Sequence, residues 1–239
     1  MRLRESLAAF DLKRLLDIAV AALALVVLSP LFALVALAVK LESRGGVFFR
    51  CRRVGYDGFP FPMVKFRKMR VDASGPPVTS RDDERFTRVG GFLARTKLDE
   101  IPQLWNVLKG EMSLVGPRPE DPVFVDLHRK EYGLILQVRP GITGLCQLAF
   151  AKEGEILDDE DPADDYVRRL LPKKAALDQL YARRRSLSMD LRVLAWTAVV
   201  VLLRREVAVH RETAKLSLRR RPPGQRRSGI AAADQRAAA

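Results

Sequence analysis

Between Ile18 and Val39 runs an uncharged apolar stretch of 22 residues with a proline near its middle. A run of roughly 18 or more such residues reads as a segment for the hydrocarbon core of a membrane. It is too long for the apolar core of a secretion signal, and no small-residue cleavage pattern follows before Lys40, so a cleaved leader is not expected. Pro30 cannot donate to the carbonyl of Val26, so a helix through the run must kink at Ser29-Pro30. Basic residues flank both ends: Lys13 and Arg14 before, then Lys40, Arg44, Arg50, Arg52 and Arg53 after. Charge therefore gives no clear orientation. A kinked span fits the run, and composition alone favours it. A helix-break-helix that enters and leaves by one face also fits.

The second constraint is Arg95-Thr96-Lys97-Leu98-Asp99-Glu100-Ile101-Pro102, followed by Gln103 to Leu108. Ile101, Leu104, Trp105 and Leu108 recur at helical spacing, and proline is tolerated in a first turn. The pattern predicts a helix that starts near Asp99, with Asp99 as its N-cap. Two carboxylates at the positive end of a helix stay ionised and can share a divalent cation. Arg95 and Lys97 would partly neutralise a further anion bound there. A capped amphipathic helix with a solvated acidic first turn accounts for the same residues equally well.

Net charge of +13 calls for an anionic partner: nucleic acid, an anionic membrane surface or a phosphorylated substrate. Cys51 and Cys146 form no CxxC pair, so neither a zinc site nor a disulfide framework is expected, and a reducing compartment fits. His128 and His210 are too few and too far apart for a histidine metal site, so any metal should be a hard cation on oxygen ligands.

Elsewhere the chain alternates short elements and loops. Val47 to Phe49 and Phe61 to Phe66 read as a hairpin around the turn Gly55-Tyr56-Asp57-Gly58. Lys65, Arg67, Lys68 and Arg70 form either a solvated basic face or a phosphate site. Asp72 to Glu84 reads as a loop. Two prolines hold Arg118 on a stiff extended backbone, suited to bidentate phosphate recognition. Arg139-Pro140-Gly141 repeats that theme. Lys152 to Asp165 is strongly acidic, Tyr166 to Arg185 looks helical, and Leu191 to Leu203 is apolar but too short to span. That last segment suits a core helix or an interfacial one anchored by Trp196. The end of the chain is basic, with the composition of disorder and a charge that suits anionic lipid.

Three motifs stand in one order: Lys65-Phe66-Arg67-Lys68-Met69, the long run from Leu98 through Pro117-Arg118-Pro119-Glu120, and Arg139-Pro140-Gly141-Ile142-Thr143-Gly144. Together they resemble the bacterial sugar transferases, the monotopic polyprenyl-phosphate phosphoglycosyl transferases, over about Lys13 to Thr197. The length resembles the minimal members of that family. The resemblance implies that a UDP-sugar gives its sugar-1-phosphate to undecaprenyl phosphate through a covalent aspartyl intermediate, releasing UMP. This would be the first membrane step of exopolysaccharide, O-antigen or other glycan synthesis. It implies Asp99 as nucleophile, Glu100 with Asp99 as ligands of Mg2+ (or Mn2+), and phosphate contacts from Lys65, Arg67, Arg95, Arg118 and Arg139. It also implies a re-entrant helix broken at Ser29 and Pro30. The setting would be the cytoplasmic face of the bacterial inner membrane, among anionic lipids, with downstream glycosyltransferases and a second copy of the chain as further candidate partners. The sequence departs from the family at Ala94, where many members have arginine. It departs again at Lys97, in place of a small hydroxyl residue, and at Asp83-Glu84-Arg85, in place of Asp-Pro-Arg. Leu148 to Leu171 matches loosely and is where sugar selection is expected.

The fold expected is thus α+β and mostly helical, with a re-entrant N-terminal element, a small β-hairpin and interfacial amphipathic helices. Its parts would be a membrane element at 1–44, a catalytic domain at 45–204 and a basic disordered tail at 205–239. Two competing functions use the same residues. A membrane-bound nucleotide-sugar hydrolase would need a positioned water, and no dedicated base beyond Glu100 is evident. A non-enzymatic basic membrane protein would leave the acidic pair unexplained. No base-reading module appears, so nucleic acid is not an expected partner.

Overall fold

The computed structural model describes residues 2–75, 83–151 and 162–219. Helices α1 (Arg2–Val27) and α2 (Ser29–Glu42) meet at Leu28. Strands β1 (Phe48–Val54) and β2 (Pro60–Phe66) form an antiparallel hairpin around the tight turn Tyr56–Gly58, longer than the expected strands but in the expected place. Helix α3 (Arg88–Thr96) follows, then one 3-10 turn (Leu98–Glu100) and helix α4 (Gln103–Lys109). Strand β3 (Ser113–Val115) pairs in parallel with β4 (Gly141–Thr143), across α5 (Pro122–Leu127) and α6 (Arg129–Ile135). Helices α7 (Leu145–Ala149) and α8 (Pro162–Asp165) come next, the latter running through a π turn (Tyr166–Leu170) into α9 (Leu171–Arg184). Helix α10 (Leu187–Leu203) and the hairpin β5 (Val207–Val209) with β6 (Leu216–Leu218) complete the described chain. The architecture is α+β, as expected. Most of the acidic stretch from 152 lies outside the described residues.

The break in the apolar run is present. From Leu12 to Glu42 the two helices bend by 63°. The carbonyl that Pro30 leaves without a helical donor is that of Val26, and the Ser29 hydroxyl donates to it at 2.8 Å. No single described helix is long and apolar enough to cross a membrane, although the bent pair satisfies length and composition together.

Both legs of the bend are fastened to the same body. On α1, Lys13 donates to Asp190 at 2.6 Å, Arg14 donates to the carbonyls of Val107 and Leu108, and Asp17 accepts from the Ser113 hydroxyl and the Leu114 amide. Lys13 and Arg14, which read in the sequence as flanking charges, are thus occupied inside the fold, with Arg14 closing the C-terminal end of α4. Ala21 is buried in the largest core cluster with Phe61, Val107, Leu145, Tyr181 and Val193. On α2, Val35 and Val39 pack with Phe66 and Leu93, while Phe32 lies against the rings of Phe48 and Phe66.

Two expectations are corrected. Asp99 is not a helix N-cap. Helix α3 ends at Lys97, whose φ of +60° is left-handed, and the acidic pair sits in the separate 3-10 turn. Pro102 has no amide hydrogen to carry the ladder back, so α4 begins only after it. Residues 205–219 are not an unstructured tail. Val207 is 2% exposed and Ala214 6%, because this hairpin packs its apolar side onto the core. The Ser113–Val115 and Gly141–Thr143 strands were not foreseen, being too short to show a period. Their pairing depends on glycine: a Cβ at Gly116 would lie 2.4 Å from the Arg139 carbonyl oxygen, and one at Gly141 would lie 2.0 Å from the Gly116 nitrogen. Helix α10 is core at Met189 and Val193, and exposed at Val201, Leu202 and Leu203.

Candidate active site

Asn106 sets the geometry of the site. It is fully buried on α4, accepts from the Val64 amide at 3.0 Å and donates to the Pro62 carbonyl at 2.9 Å. These bonds pin β2 to the helix that follows the acidic pair. Lys65, next along β2, then donates to Glu100 Oε1 at 2.9 Å. A second close approach brings in Lys68: a Cβ at Gly90 would fall 1.8 Å from the Lys68 carbonyl oxygen, so only glycine lets α3 lie on this segment. The Lys68 ammonium is 3.8 Å from Asp99 Oδ2 and 5.3 Å from the centroid of the Phe86 ring. Arg118, held between its prolines, brings a guanidinium nitrogen to 3.8 Å from Glu100 Oε1.

The two carboxylates are electrostatically unlike. Burial, then the Glu100 charge, push the Asp99 carboxyl above the ordinary carboxylate range, against the opposing pull of Lys65, Lys68 and Lys97. Burial also opposes ionisation of Glu100. Lys65, Arg118 and Lys97 together outweigh it and hold Glu100 well below its usual value. Burial lowers the Lys68 ammonium, with Asp99 pulling the other way. Glu100 is therefore a firm anion inside a cationic cage. Asp99 is 2% exposed, less firmly ionised, and its Oδ1 has no hydrogen-bond partner among the described residues.

Both acids line a cavity of about 1280 Å³. One wall is a face of the hairpin, where the register sets Phe49 against Lys65, Cys51 against Met63 and Arg53 against Phe61. That wall grades from an exposed aromatic at Phe49 to a polar end at Arg53. There Arg53 lies 3.7 Å from Glu120, and Tyr166 donates to Glu120 at 2.5 Å and accepts from Lys174 at 2.7 Å.

Of the expected phosphate contacts, Lys65, Arg67, Arg95 and Arg118 line this cavity, Arg95 as an exposed side chain at the end of α3. The guanidiniums of Arg67 and Arg139 are engaged by backbone carbonyls. The Arg67 guanidinium donates to the carbonyls of Ser43, Arg44 and Val39, closing the end of α2. Arg139 donates to the Gly110 carbonyl at 3.1 Å and lies over the Tyr56 ring, and it is not among the residues lining the cavity. Carbonyls at a helix end attract a guanidinium as a phosphate does, which is why spacing alone did not separate the two uses. Sequence reasoning left Gln103 out of the site, although it stood inside a quoted motif, and offered Lys68 as part of a basic face or phosphate site without placing it beside Asp99. Ser29 and Pro30 lie at the bend, apart from the cavity lining.

Among the described residues no three His, Cys, Asp or Glu side chains group to hold a metal. Mg2+ does not need such a group, because it binds through one or two carboxylates plus substrate phosphates and water. The unpartnered Asp99 Oδ1 beside Glu100 fits that donor set.

A buried acidic pair ringed by cations thus lines a large cavity, and a broken apolar helix packs on the same body. The chain belongs to the bacterial sugar transferase family, whose sequence model matches residues 8–204. It is 44% identical over 166 residues to the UDP-glucose:undecaprenyl-phosphate glucose-1-phosphate transferase of Caulobacter vibrioides, covering 65% of this chain and 62% of that protein. It is 41% identical over 205 residues to the undecaprenyl-phosphate glucose phosphotransferase of Komagataeibacter xylinus, covering 81% of this chain and 37% of the relative. With the exopolysaccharide production protein ExoY of Sinorhizobium fredii it shares 36% identity over 210 residues, covering 81% of this chain and 86% of that protein. The chain thus spans less than two thirds of the length of the first two relatives.

Proposed function

We propose that this protein transfers a sugar-1-phosphate from a UDP-sugar to undecaprenyl phosphate, at the cytoplasmic face of a bacterial inner membrane. The observation that carries the reading is the unlike pair: a caged anion at Glu100 and an unpartnered carboxylate oxygen on the cavity-lining Asp99. Family membership supports it, as do the names of relatives that act on UDP-glucose and undecaprenyl phosphate.

In this reading Asp99 attacks the sugar-bearing phosphorus of the donor. The bridging P–O bond breaks, UMP leaves, and a phosphosugar ester remains on Asp99. An oxygen of the lipid phosphate then attacks the same phosphorus and frees the Asp99 carboxylate. Lys65 and Arg118 hold Glu100 and the incoming phosphates, and Lys68 offsets charge at Asp99. Asp99 and Glu100 would hold Mg2+ or Mn2+, which supplies neutralisation of the diphosphate charge. The graded hairpin wall gives the two substrates different ends of one cavity: the lipid phosphate beside Phe49 and Phe92, the polar donor toward Arg53.

The re-entrant topology belongs to the same proposal. Lys13, Arg14 and Asp17 on one leg, and Val35 and Val39 on the other, all pack on one body, so both legs return to one side of the bilayer. Cysteines placed near residues 5 and 75 should be labelled from the same, cytoplasmic, side; labelling from opposite sides would disprove re-entry.

The function is tested with purified protein, Mg2+, undecaprenyl phosphate and a panel of UDP-sugars headed by UDP-glucose, with UMP as readout. Sustained UMP release should require the lipid phosphate and stop with chelator. Sustained release without the lipid phosphate would make the protein a hydrolase instead.

A further inference from the structure

Gln103 is the first residue of α4, one turn beyond Asp99, and it is 2% exposed. It lines the same cavity as the acidic pair, and its side-chain nitrogen has no hydrogen-bond partner among the described residues. A buried amide donor without an acceptor is costly and uncommon, so it asks for a ligand atom. The polarity of that atom is fixed. The hydrogens of an amide NH2 repel a cation, so a metal ion does not satisfy Gln103, whereas an oxygen acceptor does. The other orphan at the site has the opposite need: Asp99 Oδ1 is an acceptor without a donor. The phosphorus and the peripheral oxygens of one phosphoryl group meet both needs together.

We propose that Gln103 is a catalytic residue that binds a peripheral oxygen of the transferring phosphoryl group through its side-chain amide. The proposal rests on the transferase reading above and adds a donor to it. As Asp99 Oδ1 bonds to phosphorus and the bridging P–O bond breaks, negative charge spreads over the peripheral oxygens. A donor fixed at the start of a helix meets that charge without reorganising. Its neutrality matters as well. The cations of the site are drawn to Glu100 and Asp99, and each further cation near Asp99 would bind the attacking carboxylate and weaken it as a nucleophile. An amide stabilises the phosphoryl oxygens and adds no further charge beside Asp99. In the second half of the reaction the same contact holds the phosphosugar ester while the lipid phosphate attacks.

The test isolates the first half-reaction. Without lipid phosphate, wild-type protein with Mg2+ and a UDP-sugar should give one rapid equivalent of UMP and a protein mass raised by one sugar phosphate. Gln103→Met keeps side-chain length and removes the donor. Its UMP burst should slow by about 100-fold, the loss typical of one oxyanion donor, with the donor Kd and the melting temperature little changed. Gln103→Glu keeps the shape and presents an anion to the phosphoryl group, so it should be at least as slow. A burst within about threefold of wild type in Gln103→Met would overturn the proposal. Should that variant fail to fold, a near-normal burst in Gln103→Glu would overturn it equally. Absence of both burst and adduct in the wild type would instead defeat the transferase reading, and this inference with it.

Discussion

Among the described residues two buried acidic pairs flank Arg118. Asp99 and Glu100 line the cavity beside the Arg118 guanidinium, and Glu120 lines it too, whereas its neighbour Asp178 accepts from the Arg118 amide. In each pair one member is held ionised. Glu100 is kept low by Lys65 and Arg118. Glu120, against the effect of burial, is kept low by Lys174, Arg53 and the Tyr166 hydroxyl. In each pair the other member is driven up by burial, Asp178 to about 8. The electrostatic signatures are alike, and access separates them. Asp99 lines the cavity, whereas Asp178 does not, and its Oδ2 accepts the Arg118 amide at 3.3 Å. One raised carboxyl lines the cavity; the other braces the backbone of an arginine that contacts the first pair. A perturbed pKa marks a strained acid, and only the cavity says which strained acid can react.

The largest expected effect breaks that comparison at the nucleophile. Asp99→Asn removes the attacking charge at constant size and should lower turnover by about a thousandfold or more, with folding intact. Asp178→Asn keeps an acceptor for the Arg118 amide and should cost roughly tenfold or less, since an unbroken brace leaves the chemistry in place. Steady-state UMP release on both variants checks this; equal losses would erase the distinction between the pairs.

An intermediate effect concerns pH. Attack requires ionised Asp99, and burial and Glu100 raise its pKa, so the acid limb of kcat/KM should lie above the ordinary carboxylate range. Glu100→Gln removes the second of those causes. The residual activity of that variant should show its acid limb moved to lower pH. An unmoved limb would assign the titration elsewhere.

The smallest effect is on stability. The folded-state pKa of Asp178, about 8, lies above the value near 3.9 of an unfolded aspartate. The native state therefore holds this proton more tightly, and its contribution to stability is full below the unfolded value and is lost as pH rises toward 8. Asp178→Asn removes that dependence. Its melting temperature should gain on wild type by a few degrees between pH 5 and 8, as read by thermal denaturation across that range. A gap that does not widen with pH would mean that Asp178 is already ionised in the fold.

Much was legible in the chain because it is local. The break at Ser29-Pro30 follows from one missing amide hydrogen, and the Ser29 bond to Val26 is the nearest remedy. The hairpin around Gly55 to Gly58 follows from turn chemistry between apolar runs. The acidic pair with Lys65 and Arg118 was readable as a motif, because these residues stand at fixed places in a long, specific pattern. What failed was competition between equivalent partners. Arg67 and Arg139 stood in motifs of the same kind as Lys65 and Arg118, but helix-end carbonyls claimed both guanidiniums, that of Arg67 at the cavity wall and that of Arg139 away from it.

The sequence by itself determined where the chain must bend, which segments are apolar enough for lipid, and which two carboxylates are adjacent, since each follows from covalent order. Only the tertiary structure decided that Asp99 and Glu100 are unlike. Their difference depends on Lys65 arriving from β2, Lys68 from the segment under Gly90, and Arg118 from beyond β3. It likewise decided that both legs of the bend dock on one body, through Lys13, Arg14 and Asp17, and that Val207 and Ala214 close the core. Ionisation and burial depend on what surrounds a group within a few ångströms, and residues far apart in sequence supply those surroundings.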